Sequence, residues 1–304
     1  MSRIQHDSTG DQVRPQPRRF YDGGVPPGAP DPDRDPRIVL DRSSEYGVEE
    51  FALERRIAYD DRHLGELLVP ADPTTFRTDL TSVPALFTWL VPKTGAHLPA
   101  ALLHDGLVFP PGTPPTYVST AGHDVDRVEA DRVFRDAMAD TGTGVVRRWL
   151  VWAAVTSATM LSGSTRWSRA LLWRYRLAVV LTVAAIAYLG ACATADLFDM
   201  GVPGLVELPW MGDRAWPLEL AGGLAGAVVV PFALGLTWGR FRAAGVIVGI
   251  GLAVLLHVTV ALAVLTGLYQ LVERAAAWRP RLVGAAAVAG VLVSAGLMIT
   301  LVLP

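Results

Sequence analysis

The stretch from Leu177 to Ala195 reads LAVVLTVAAIAYLGACATA, and it decides what kind of protein this sequence encodes. It carries no charged side chain and is long enough to cross the roughly 30 Å hydrocarbon core of a bilayer as a helix. Lipid offers backbone groups no hydrogen-bonding partner, so a helix is the expected form. The stretch therefore predicts a membrane-spanning segment.

Further apolar runs follow near residues 218–238, 244–270 and 282–303. With the first run they predict an all-α transmembrane bundle of about four helices, surrounded by the lipid bilayer. Glycine pairs at spacing four, Gly222 with Gly226 and Gly245 with Gly249, permit close helix packing within one chain or in a homo-oligomer.

Charged residues predict the orientation of these spans, because cytoplasmic loops are enriched in Lys and Arg. Arginines precede the first span and separate the second from the third: Arg166, Arg169, Arg174, Arg176, Arg240 and Arg242. The segment from Arg274 to Arg281, between the third and fourth spans, opposes the pattern. We expect a multi-pass inner-membrane protein whose N-terminal part is cytoplasmic.

The composition argues against several classes of protein. A net charge of -2 provides no general attraction for nucleic acid, so no nucleic-acid partner is expected. The single cysteine, Cys192, excludes disulfide and multi-cysteine zinc frameworks. Residues 1–30 lack the apolar core of a signal peptide, so we expect the N-terminal part to stay inside the cell.

The sequence before the spans predicts a soluble α+β domain over residues 37–162. Residues 1–36 are rich in Pro, Gly and charged side chains and predict a disordered tail, and residues 163–176 form a basic connector to the membrane region at 177–304. The domain has a few short strands and three helices, predicted near 37–40, 51–59 and 64–69 for strands and near 97–108, 124–139 and 145–161 for helices.

Two of these helices carry the polar residues that point to chemistry. His104 follows the apolar run Ala100–Leu103, and Asp131 lies on the apolar stripe of the next helix. A buried carboxylate needs a partner, so Asp131 is expected to accept a hydrogen bond from His104 and leave the other ring nitrogen to take a proton from water. Asp105 points away from His104 and would bind a cation.

Other interpretations of the same residues remain open. His104 and Asp131 are equally consistent with a buried structural pair, and Arg127 with Asp131 has the spacing of an ordinary ion pair on a helix. Asp79 and Ser82 would support the site or serve only as turn residues. Ser82 lacks the glycine context of a serine nucleophile, and the spacings of His97, His104 and His123 match no known zinc ligand set.

Ordered motifs then carry a resemblance to a known family. FRTDLTSVP at 76–84, AALLHD at 100–105 and RVEADRVFRDAM at 127–138 resemble the bacterial and phage family catalogued as domain of unknown function 1353, over about residues 48–160. This chain has Gly106-Leu107-Val108 where the family usually has an aromatic residue. The resemblance implies no established activity and marks a set of positions for testing: Asp79, Ser82, His104, Asp105, Arg127 and Asp131.

A weaker similarity is to phospholipases A2, which place a His-Asp pair on one helix and a carboxylate that orients the histidine on a neighbouring helix. The chain departs from them because it has no disulfides and no recognisable glycine-rich calcium loop.

Together these observations favour a metal-assisted hydrolase acting near the membrane. His104 would be the general base, Asp131 would orient it, and Asp105 would ligate a divalent cation such as Ca²⁺, with Arg127, Asp79 and Ser82 in support. The alternative is a non-catalytic, membrane-anchored interaction module of prophage origin, in which the same residues hold the domain together.

Overall fold

A computed structural model describes residues 19–45, 48–80, 95–212 and 214–302 of the chain. Its N-terminal part contains short antiparallel strands: β1 (Phe20–Asp22), β2 (Leu40–Glu45), β3 (Val48–Leu53), β4 (Ile57–Asp61), β5 (Gly65–Val69) and β6 (Val118–Ser119). One sheet has the order β1-β4-β5-β6, and β2 pairs with β3 in a separate hairpin. The predicted α+β class is confirmed.

Three helices complete this part of the protein, as predicted. Helix α1 (Leu98–Leu107) carries Pro99 in its first turn, where a missing N–H costs nothing. Helix α2 (Arg127–Asp140) is capped by Asp126, whose side chain accepts a hydrogen bond from the Glu129 amide. Helix α3 (Val145–Ser162) follows Gly144. Helix α1 packs on β5 and α2, and α2 packs on α3.

Two strand predictions need correction. Residues 19–36, assigned above to a disordered tail, include β1, which pairs with β4 through Phe20 and Tyr59. The single strand predicted at 51–59 is two strands, because the chain turns at residues 54–56. In this turn the Arg56 amide donates to the Gly24 carbonyl, so pairing with the N-terminal segment interrupts the run. The rest of the predicted tail and the apolar stretch up to Val91 lie outside the described residues.

The C-terminal part is helical, as predicted, but its division differs. It consists of α4 (Arg169–Leu197), α5 (Trp216–Leu236), a 3-10 turn (Gly239–Phe241), α6 (Arg242–Val254), α7 (Leu256–Trp278) and α8 (Pro280–Val302). Within the described residues, α4, α5 and α7 are long and apolar enough to cross a membrane. The span predicted at 244–270 is interrupted at Leu255, so part of it belongs to α6 and part to α7.

The N-terminal α+β region and the C-terminal helices share a hydrophobic cluster. Its members come from α3, α4, the segment between α5 and α6, and the first turn of α6: Ala153, Met160, Tyr175, Val179, Trp238, Phe241 and Ala244. The indole of Trp238 is fully buried and donates a hydrogen bond to the Thr182 hydroxyl at 3.0 Å. The connector is therefore a packed junction.

The glycines of the membrane part pack against residues of the same chain. A Cβ added to Gly222 or Gly226 would overlap Trp210, and one added to Gly245 would overlap Trp238. These glycines thus serve close packing inside one chain, while homo-oligomerisation stays a prediction.

We expect Gly106→Ala to destabilise the soluble domain by about 1–3 kcal/mol, because its Cβ would lie 2.2 Å from Val69 Cγ1 on β5. The measurement is thermal or chemical unfolding of the full chain in detergent. Gly251→Ala in α6 is the matched control, since a Cβ there meets nothing within 4 Å. Equal stability of the two variants would contradict the proposed contact between α1 and β5.

Candidate functional site

The side chains of His104 on α1 and Asp131 on α2 face each other. His104 Nε2 lies 2.9 Å from Asp131 Oδ1, a hydrogen-bond distance, which confirms the predicted contact. The His104 side chain keeps 14% of its surface exposed, whereas Asp131 keeps 3%. The pair therefore consists of an enclosed carboxylate and a partly exposed imidazole.

Packing of α1 against α2 fixes the imidazole in this position. The His104 ring stacks on Phe134, with ring centroids 4.7 Å apart and an angle of 26° between planes. Phe134 lies one helical turn after Asp131, so the two side chains share a face of α2. The same face that holds the carboxylate thus also holds the ring, and rotation of His104 is restricted.

Asp131 satisfies only part of its hydrogen-bonding capacity. Its second oxygen, Oδ2, is buried and accepts no hydrogen bond from any residue that the structure describes. Burying a carboxylate oxygen without a donor is costly, so this arrangement calls for a physical explanation. The Oδ1 contact with His104 is consequently the main compensation for burying this charge.

Asp105, the residue after His104, contacts a different element. Its Oδ2 accepts a 2.6 Å hydrogen bond from the Thr78 hydroxyl, and that hydroxyl also accepts a bond from the Leu80 amide. Thr78 is held in place by two backbone hydrogen bonds with Phe51 at the end of β3. Asp105 therefore ties α1 to the segment that carries the FRTDL motif.

Burial raises the pKa of the Asp105 carboxyl above its usual value. The hydrogen bond from Thr78 and the charge of His104 oppose this shift, and the neighbouring negative charge of Asp79 adds to it. Asp79 itself is exposed and lies beside the carboxyl group through its position next to Thr78. The structure thus brings the negative charge of Asp79 near Asp105.

Comparison with known proteins bears on this part of the chain. Residues 51–155 match the family model described as protein of unknown function (DUF1353). The match runs from β3 into α3, and it confirms the resemblance indicated by the sequence motifs. No curated protein and no solved structure matches the chain. The similarity to phospholipases A2 gains no support from these comparisons.

Within the DUF1353 region, Arg127 had two interpretations, a support for the site and an ordinary ion-pair partner of Asp131. It forms no ion pair with Asp131 among the described residues, because Asp131 is turned toward His104. Arg127 sits at the first residue of α2 and is partly buried. Ser82, the other predicted supporting residue, lies outside the described residues.

A charged network that the sequence analysis missed joins α2 to the sheet. Arg132 pairs with the buried Asp61 at 2.8 Å and with Glu129 and Asp136 on its own helix. Burial alone would raise the pKa of Asp61, but the bonds from Arg132 and from the His63 and Leu64 amides hold it below its usual value. The spacing of Glu129, Arg132 and Asp136 was a readable signal for ion pairs on one helix face.

The side chains around Asp105 bear on the divalent cation predicted there. No group of three or more His, Cys, Asp or Glu side chains among the described residues is arranged to hold a metal ion. The Asp105 carboxylate is also occupied by the Thr78 hydroxyl. The divalent cation at Asp105 therefore stays a prediction.

We expect Asp105→Asn to preserve the fold. We also expect its stability relative to the parent to increase as pH rises. A carboxyl whose pKa is raised by folding destabilises the folded state above about pH 4, where an unfolded aspartate ionises, whereas asparagine has no charge to bury. Its amide oxygen still accepts the Thr78 hydrogen bond. The difference in Tm between variant and parent should therefore grow as pH rises above about pH 4.

The control for this series is Asp124→Asn, because the Asp124 side chain is 82% exposed. Its Tm difference from the parent should change little over the same pH range. A Tm difference for Asp105→Asn that stays constant, or that shrinks as pH rises, would show that the carboxyl is not buried as described.

Proposed function

We propose that the DUF1353 region is a hydrolase in which His104 is the general base and Asp131 its orienting partner. The observation that carries this proposal is the 2.9 Å contact between His104 Nε2 and the enclosed Asp131, combined with the partial exposure of the imidazole. A partly exposed histidine held by a buried carboxylate is suited to moving a proton between water and a substrate.

The chemistry follows from the direction of the hydrogen bond. An ionised carboxylate only accepts hydrogen bonds, so Nε2 carries the proton and Nδ1 keeps its lone pair. Nδ1 then takes a proton from a water molecule as the water oxygen attacks the carbonyl carbon of an ester. The bond to the leaving oxygen breaks, and the imidazolium returns the proton to that oxygen. Asp131 stabilises the imidazolium in between.

The setting of the domain supports a substrate at the membrane surface. The hydrophobic cluster that includes Met160, Tyr175 and Trp238 packs α3 against α4. This packing keeps the DUF1353 region beside the first membrane-span candidate. Arg166 bonds to the Asp124 carbonyl just before α2, so the connector is tied to the helix that carries Asp131. We propose a lipid ester or another membrane-proximal ester as substrate, reached from the cytoplasmic side of the inner membrane.

The burial of Asp131 also favours a second candidate function. A carboxylate with only 3% of its side chain exposed, bound to a histidine on the neighbouring helix, is what a structural pair would look like. The domain would then be a non-catalytic, membrane-anchored interaction module. The two candidates differ in what loss of the pair does to stability and to turnover.

We expect His104→Gln to abolish ester hydrolysis by the full chain reconstituted in proteoliposomes, with Tm within a few degrees of the parent. Glutamine keeps an N–H donor for Asp131 but has no group that titrates, and loss of a general base typically costs about 10²–10⁴-fold in rate. The measurement is release of fatty acid from liposomal phospholipid and of dye from short-chain fluorogenic esters.

The matched control is His123→Gln, since His123 is exposed and lies outside the helices of the pair. It should hydrolyse ester at the parental rate. Equal rates for His104→Gln and the parent would refute the catalytic role. A parent that hydrolyses none of these esters, together with unfolding of both His104→Ala and Asp131→Asn, would instead establish the structural role.

A further inference from the structure

A cavity of about 340 Å³ lies within the membrane part of the protein. It is enclosed by α4, α5, the break between α6 and α7, and the loop that follows α4. Its walls are almost entirely aliphatic or aromatic, with Ile186, Leu189, Ala227, Val230 and Met211 among them. Its size and apolar character match those of sites that bind small molecules.

The medium around this cavity restricts what enters it. Helices α4 and α5 are both membrane-span candidates, so a molecule that enters the cavity from the surface of these helices comes from the hydrocarbon of the bilayer. Water avoids apolar cavities of this kind because it would lose its hydrogen bonds there. An acyl chain loses nothing on entering, since it exchanges one apolar contact for another.

One wall of the cavity is polar, and its hydrogen bonds define what it offers. The Thr194 hydroxyl donates to the Gly190 carbonyl at 2.7 Å, so its only proton is used. Its 2.8 Å contact with His257 Nε2 must therefore have the imidazole as donor. This contact joins α4 to α7, and when the His257 ring is neutral it leaves Nδ1 as an acceptor.

The loop that closes the cavity is held firmly in place. Trp210 and Met211 pack over Gly222, Gly223 and Gly226 of α5, where a side chain on Gly222 or Gly226 would collide with Trp210. The Leu208 amide donates to the Asp196 side chain at the end of α4. The cavity is thus bounded by packed elements on several sides.

From these observations we propose that the cavity binds the chain of a single-chain lipid whose polar end carries a hydroxyl group. The apolar walls hold the chain, and the hydroxyl donates to the acceptor nitrogen of His257. This proposal is independent of the His104 chemistry, because it concerns different residues and requires no turnover.

The test uses hexadecanol with a diazirine on its chain, photolysed with the full chain in nanodiscs, and cross-links are mapped by mass spectrometry. We expect cross-links in the peptides of α4 and α5 that line the cavity. Ala227→Phe should reduce them about tenfold, the ratio that loss of roughly two buried methylene contacts produces. Ala225→Phe is the matched control, because Ala225 is exposed on the same helix and does not line the cavity.

Leu189→Trp fills the cavity from α4 and decides the matter if Ala227→Phe does not fold. Unlabelled hexadecanol should compete better than its methyl ether, which has no hydroxyl proton, and His257→Leu should abolish that preference. Equal cross-linking in Ala225→Phe and the cavity variants, or cross-links found only on α7 and α8, would overturn the proposal. Equal competition by alcohol and ether would overturn the assigned role of His257.

Discussion

A carboxylate can be buried in an apolar core only when a partner compensates for its lost water, and helix α2 meets this constraint twice. On one face Asp131 is bound by His104 of α1. On another face Arg132 neutralises Asp61, whose side chain is fully buried at the end of β4. These contacts position α2 between α1 and the sheet, and α3 then links the assembly to the membrane helices. The candidate site and the attachment to the bilayer both depend on where α2 lies.

The same constraint explains why the two contacts differ chemically. Arginine holds its proton at any ordinary pH, so Asp61 and Arg132 form a permanent ion pair suited to holding the fold together. Histidine exchanges its proton near neutrality, and the ring of His104 is partly exposed. A residue used only for packing needs neither an exchangeable proton nor exposure to water. This contrast between Arg132 on α2 and His104 on α1 is the physical reason for proposing His104, and not Arg132, as the reactive group.

Much of the local structure could be predicted because it depends on short-range properties. The period of apolar residues placed the three helices of the soluble domain, and the apolar stretches placed the membrane part. The contact between His104 and Asp131 followed from burial, since both lie on apolar helix faces. The predictions failed where partners are distant in sequence. β1 is ordered by pairing with β4, and Arg132 finds Asp61 far earlier in the chain. The spacing of Arg127 and Asp131 left an ion pair between them open, because a helix spacing cannot say which of two neighbours a carboxylate faces.

Hydropathy alone is enough to establish that this chain has a membrane part, because transfer of each apolar side chain to lipid is favourable whatever its neighbours are. The same holds for the helices of the soluble domain, whose periodicity is a local property. The division of one apolar run at Leu255, the use of glycines to seat Trp210, and the hydrogen bond between Asp105 and Thr78 came only from three-dimensional packing. Each of these depends on the distance between groups far apart in the chain, and no local pattern encodes that distance.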